Sequence, residues 1–165
     1  MPKRKEAVTI VVLDTRTGLM LATHRKEDIS QWGMPGGKID ENESPLEAIV
    51  REFSEETPYS VLINNLEYLG VYPCYGPTDY DVHTYMVKDA SMLKINLSLK
   101  NVEQNYGWIH PRLLTVGPFA YFNKTLFAKH KDKIFGKLYP LIDWTTGMPE
   151  EVKTGCSIPL DHYGV

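Results

Sequence analysis

The 165-residue sequence holds only two cysteines, Cys74 and Cys156, far apart and in no ligand-pair or redox spacing. A thiolate metal site is thereby excluded, and a reducing compartment, the cytoplasm, is the expected setting. No run approaches the ~18 apolar residues of a membrane span. At the N-terminus, "MPKRKEAVTIVVLD" has a short apolar run that stops at Asp14 without a small-residue cleavage site, so it reads as a strand and not a signal peptide. Excess positive charge is also missing. A formal net charge of −3 gives no support to an extended nucleic-acid surface, and no nucleic-acid partner is expected. Repeats and low-complexity tracts are absent. What is present is an ordinary globular composition, 42% hydrophobic and 24% charged, at a length suited to one domain.

Along the chain, "AVTIVVLD" and "GLMLATHR" form a β-hairpin pattern around "TRT" and Gly18. "DISQWGMPGGKIDENE" reads as a loop, tightened by Gly33, Pro35, Gly36 and Gly37. A helix is predicted from Pro45 to Glu56. Ser44 is a natural N-cap, Pro45 suits the first helical position, and Glu47 completes an S-x-x-E capping box. Its apolar stripe is Leu46, Ile49, Val50 and Phe53, and Pro58 ends it by biasing Thr57 away from the α region. "LEYLGVYPCY", "DVHTYMVK" and "YGWIH" read as strands, "PRLLT" as a helical turn, and "KINLSLK" as an edge strand or an extended loop. A second helix is predicted over roughly Phe119 to Phe135. The tail from Tyr139 shows no clear period. Strands on both sides of an amphipathic helix indicate an α/β domain with helices on the faces of a mixed, curved sheet.

"REFSEETP" poses a physical problem. Glu52, Glu55 and Glu56 fall at i, i+3 and i+4, on one helical face, where like charges repel by about 0.2–0.5 kcal/mol per pair. The last turn of a helix, with its partial negative charge, is a poor place for acids. A solvated acidic face is the bland explanation. The alternative is a cradle for divalent cations, and hard carboxylate oxygens without a His/Cys cluster suit Mg²⁺ or Mn²⁺ better than Zn²⁺.

Placed in order, Gly37, Glu43, Arg51, Glu52, Phe53, Glu55 and Glu56 make the pattern G-x5-E-x7-R-E-U-x-E-E, with U apolar. The chain resembles the Nudix hydrolases in this signature, over Gly36 to Tyr59, and the approach "QWGMPGGK" is similar to the segment that precedes it in many members. One position departs, with Pro58 where a glycine is usual. A glycine there permits a turn at positive φ that proline excludes, so a different exit from the helix is expected. The resemblance implies a Nudix α/β/α sandwich over residues 1–138, with 139–165 as a C-terminal extension packed on the same domain. It implies Glu52, Glu55 and Glu56 as the metal set, with Gly36 contributing a backbone carbonyl, and Glu43 pairing with Arg51 to brace loop against helix. Glu47 is also within reach of Arg51 at i+4. The general base varies within the family, so Glu52 and Glu103 are both candidates for a catalytic and metal-binding role. For Glu103 an ordinary exposed glutamate is the competing reading.

The implied reaction is hydrolysis of a phosphoanhydride in a nucleoside polyphosphate, a (d)NTP or an oxidised dNTP such as 8-oxo-dGTP giving monophosphate and pyrophosphate. The alternatives are an ADP-ribose or nucleotide-sugar pyrophosphatase and, outside catalysis, a nucleotide-sensing binding module. Candidate substrate contacts are thinner. His24, Arg25 and Lys38 flank the glycine loop, within reach of phosphate oxygens or merely as surface charge. Trp32 and Tyr75 are candidates for stacking on a base, against the commoner fate of a packed aromatic. Asn123 lies in "PFAYFNKTLFAKHKDKI", similar to the C-terminal helix of MutT-type members in which an asparagine contacts the oxidised base. A helix cap is its competing role. The partner expected is a small nucleotide, with no membrane, and the oligomeric state is open, a homodimer included.

Overall fold

The computed structural model describes residues 4–25, 28–87, 89–95 and 105–144. In chain order its elements are β1 (Lys5–Asp14), β2 (Leu19–Arg25), β3 (Asp28–Gly33), β4 (Gly36–Lys38), α1 (Pro45–Glu56), β5 (Tyr59–Ser60), β6 (Leu66–Cys74), β7 (Tyr80–Val87), β8 (Lys94–Ile95), β9 (Asn105–Ile109), α2 (Ala120–Lys129) and α3 (Lys131–Ile134). Short 3₁₀ turns, Pro111–Thr115 among them, join several of these.

The β1–β2 hairpin turns through Gly18 at φ 74°, a left-handed position that costs glycine least. The sheet runs β3-β2-β1-β7-β6, with β9 added to β2, and is mixed because β7 lies parallel to β1 from Lys5↔Tyr80 to Val12↔Val87. The opposite edge of β1 is divided. Leu13 and Asp14 pair with β2, whereas Ala7 to Thr9 pair with β4. Between them Ile10 N–H donates to the Pro35 carbonyl at 3.1 Å. The segment 28–38, expected as loop, therefore contributes two strands. Its glycines serve a close approach: a Cβ on Gly36 would collide with the Val8 carbonyl.

Side chains alternate across β1 and bury both faces. Val8, Ile10 and Val12 face α1, where Ile49 and Phe53 are fully buried. Val11 and Leu13 face α2 and α3, against Leu126, Phe127, Ile134 and Phe135. The result is an α/β/α sandwich. The single helix expected over 119–135 is broken at His130, which leaves helical geometry at φ −115°, ψ 27°. There the His130 ring meets the Tyr72 hydroxyl at 2.6 Å, and burial beside Lys129 and Lys133 holds its pKa down. Of the "KINLSLK" stretch, Lys94 and Ile95 pair with β5 as a two-stranded sheet, and the remainder lies outside the described residues. Beyond Tyr139 the described chain reaches Trp144, whose ring packs on Phe127, Phe135 and Tyr139.

Candidate active site

Helix α1 carries the acidic residues, and its ends are set locally. Ser44 Oγ accepts from Glu47 N–H at 3.1 Å while Glu47 Oε1 accepts from Ser44 N–H at 3.2 Å. Glu47 is thus engaged in the capping box and is not the partner of Arg51, as its i+4 spacing suggested. At the other end, Thr57 adopts extended geometry, φ −131° and ψ 161°. Its N–H and hydroxyl both donate to the Phe53 carbonyl, at 3.1 and 2.8 Å, and its Oγ1 accepts from Tyr59 N–H at 3.2 Å. The side chain supplies what a left-handed glycine cap supplies elsewhere. Pro58 then follows an extended residue, the conformation that proline imposes on its predecessor.

Arg51 is the hub of the acidic face. Its Nε and Nη2 donate to the two oxygens of Glu43 at 2.7 and 2.9 Å. Nη2 also reaches the Lys38 carbonyl at 3.1 Å, and Nη1 donates to Glu52 and Glu55 at 3.0 and 3.2 Å. Asp40 Oδ2 lies 3.4 Å away. Loop, β4 and helix are tied together through one guanidinium. Arg51, with a hydrogen bond donated by the Asp40 backbone N–H added, holds the Glu43 carboxyl down at about 2. Glu52 moves the other way: burial pushes its carboxyl up against the opposing pull of Arg51. Its side chain occupies space that any Cβ at Gly37 would fill, which accounts for glycine at that position. Glu56 is only 3% exposed and accepts from Gly36 N–H at 3.2 Å.

Among the described residues no three His, Cys, Asp or Glu side chains already form a metal cage. Glu52 and Glu55 are both drawn to Arg51, and Glu56 to the Gly36 amide. The donor set nevertheless fits a hard divalent cation. Three carboxylates share one helix face, and two of them are shielded from water. Glu52, Glu55 and Glu56 would offer such a cation oxygen ligands alone.

Two cavities of about 320 Å³ each flank this face. One borders Glu56 and Gly36 and is walled by Thr23, His24, Gln31, Gly33 and Phe119. The other borders Gly37 and Lys38 and runs past Cys74, Tyr80 and Val82 to Phe122 and Asn123. Met34, Gly36 and Phe119 line both. Asn123 is 1% exposed and its Nδ2 donates to the Leu114 carbonyl at 2.8 Å. It lies inside α2, whose N-cap is Phe119, so the helix-cap role is excluded. Trp32 lines neither cavity, since its ring packs edge-to-face on His24 at 4.6 Å. Arg25 closes β2, its side chain outside the described residues, as is all of Glu103. Gln31 and Met34 fall in the segment "QWGMPGGK", and Phe119 and Phe122 in "PFAYFNKTLFAKHKDKI", but that they line these cavities is visible only in three dimensions.

A family model described as NUDIX domain matches residues 3–129. A CMP-5'-(N-acetyl-N-hydroxy-3-aminopropyl)phosphonate hydrolase of Streptomyces rubellomurinus is 37% identical over 90 residues, 53% of this chain and 43% of that protein. A Bacillus subtilis protein named as a candidate 8-oxo-dGTP diphosphatase is 36% identical over 63 residues, 38% of this chain and 40% of its own. The match spans less than half the length of either relative. Among solved structures, a MutT protein from Methanosarcina mazei superposes with a TM-score of 0.59 at 20% identity, covering 79% of this chain and 96% of that one. That likeness concerns the fold.

Proposed function

The chain belongs to the NUDIX family, and from that premise we propose that it hydrolyses a phosphoanhydride of a nucleoside polyphosphate in the presence of Mg²⁺ or Mn²⁺. The substrate is a (d)NTP or an oxidised dNTP of the 8-oxo-dGTP kind, and the products are a nucleoside monophosphate and pyrophosphate. The observation that carries this reading is the meeting of Glu56 and Gly36 at the junction of two cavities, one chiefly apolar and ending at Asn123, the other of mixed polar and apolar lining. An apolar cavity with one amide suits a base, and the carboxylate junction suits the reacting phosphorus.

Glu52, Glu55 and Glu56 would hold the divalent cation, which when bound would neutralise phosphate oxygens and acidify the attacking water. The chain's own residues do the rest. Arg51, anchored by Glu43, orients Glu52 and Glu55. Burial raises the Glu52 carboxyl against the opposing pull of Arg51, and Glu52 and Glu103 are the two candidates for the general base. Gly36 and Gly37, free of side chains, let β4 pack against Val8 and leave room for the Glu52 carboxylate. Lys38 borders the base-side cavity as its one cation among the described lining residues.

The reading is tested with a Mg²⁺ panel of dNTPs, oxidised dNTPs, ADP-ribose, nucleotide sugars and dinucleoside polyphosphates, products identified. Preference for a triphosphate with release of pyrophosphate supports it. Two monophosphorylated products from ADP-ribose or a nucleotide sugar would replace it with the second enzymatic reading. Binding without turnover across the panel would leave a nucleotide sensor.

A further inference from the structure

We infer that the Tyr68 hydroxyl is a nucleophile activated by His83 and Glu6, and that it is a modification site for activated acyl esters, apart from the acidic residues of α1. The inference is independent of the hydrolase reading. Tyr68 lies on β6, His83 on β7 and Glu6 on β1, and hydrogen bonds join the three in one chain. The Tyr68 hydroxyl meets His83 Nδ1 at 3.0 Å, and His83 Nε2 meets Glu6 Oε1 at 3.1 Å. A neutral imidazole can satisfy both bonds in one way only. The Glu6 carboxylate accepts, so Nε2 carries the hydrogen and Nδ1 accepts from the phenol. A hydroxyl, a base within reach of its proton and an acid that fixes the base's tautomer form the arrangement that activates hydroxyl nucleophiles.

A bulge in β6 assembles the site. Pairing with β7 shifts register between Tyr68 and Gly70, and Gly70 takes a φ of 130°. Residues three apart in a regular strand face opposite sides of the sheet. Here the extra residue sets Tyr68 opposite Tyr85 and Val71 opposite His83, on one face. Tyr68 is 49% exposed and Val71 48%, so an ester reaches the phenol from solvent with an apolar side chain beside it. Tyr72 supplies the contrast. Its hydroxyl also meets an imidazole, that of His130 at 2.6 Å, but it donates to the Leu69 carbonyl at 2.9 Å, and burial pushes its pKa up. In the reaction the Tyr68 oxygen bonds to the ester carbonyl carbon while His83 Nδ1 takes the phenolic proton. The C–O bond to the leaving group breaks, giving an acyl-tyrosine and a released phenolate, and His83 returns the proton to solvent.

The test treats the full chain with p-nitrophenyl acetate, follows p-nitrophenolate by absorbance and maps acetylated residues by peptide mass spectrometry. Tyr68 is acetylated about 100-fold faster than Tyr75 and Tyr106, which are 56% and 42% exposed. His83→Gln brings Tyr68 down to their rate. Glu6→Gln, which weakens the bond that holds the tautomer, slows it about tenfold. Tyr68→Phe removes the fast phase of p-nitrophenolate release. Rates at Tyr75 and Tyr106 stay constant across the variants, which separates loss of the relay from a disturbed fold. Acetylation of Tyr68 no faster than that of Tyr75 and Tyr106 in the wild-type protein overturns the inference, however the variants fold. A fast reaction at Tyr68 that survives both His83→Gln and Glu6→Gln overturns it as well.

Discussion

Replacing Glu43 by glutamine tests the brace on which the acidic face depends. Glu43 accepts two hydrogen bonds from Arg51, at 2.7 and 2.9 Å, and one from Asp40 N–H at 3.0 Å. A carboxyl held at about 2, where the ordinary glutamate value is 4.5, corresponds to at most ~3 kcal/mol of stability at neutral pH. The two side chains are 14% and 27% exposed, so water screens part of the interaction. Glu52 and Glu55 also continue to satisfy Arg51 in the variant. A loss of about 1–2 kcal/mol is therefore expected. Its pH dependence follows from the sign of the shift. The folded pKa lies below the unfolded one, so the contribution is fully present above about pH 5 and fades as pH falls from 4.5 towards 2. Urea denaturation of wild type and Glu43→Gln across that window gives the difference directly. A gap that persists undiminished at pH 2.5, or no gap at pH 7, refutes the electrostatic account of the brace.

Glu56→Gln keeps an oxygen to accept from Gly36 N–H and removes a charge from an acid-rich face, so its melting temperature stays near wild type while metal-dependent turnover is abolished; retained turnover removes Glu56 from the metal set. In Gly37→Ala the new methyl displaces only the flexible end of Glu52, so stability changes by less than about 1 kcal/mol while turnover falls about 100-fold. A melt and a rate measurement on one preparation separate these effects. Asn123→Ala strands the buried Leu114 carbonyl and costs about 1–3 kcal/mol by chemical denaturation. KM measured well below that variant's Tm then decides base recognition: a rise for purine substrates supports it, and an unchanged KM removes Asn123 from the substrate site. Phe53→Ala empties the fully buried anchor of α1 and costs about 3–5 kcal/mol, read from the denaturation midpoint.

The acidic helix was legible in the sequence because every signal that defines it is local. Capping box, apolar stripe, proline stop and carboxylate spacing all fall within fifteen residues, and each has a direct counterpart in the geometry of Ser44 to Pro58. The Glu43–Arg51 pair was legible for a different reason, through the resemblance that the signature carries. The misreadings came where distant chain supplies the partner. Residues 28–38, rich in glycine and broken by proline, look like loop until the vacant edge of β1 pairs with β4 and β2 offers its edge to β3. The stretch 119–135 keeps helical spacing throughout, and at its break the His130 ring meets the Tyr72 hydroxyl, 58 positions earlier in the chain.

The same division separates the acids from the cavities. The sequence by itself determined the family signature and the carboxylate face, since helix caps, apolar stripe and charge spacing within a few turns act whatever the rest of the chain does, and the brace residue came with the resemblance that the signature carries. Only the tertiary structure decided that Asn123 is a buried donor to Leu114, that Trp32 packs against His24, and that Phe119 stands on Gly33 and borders two cavities. A cavity is the space left by elements that meet from different parts of the chain, and no local pattern encodes its shape.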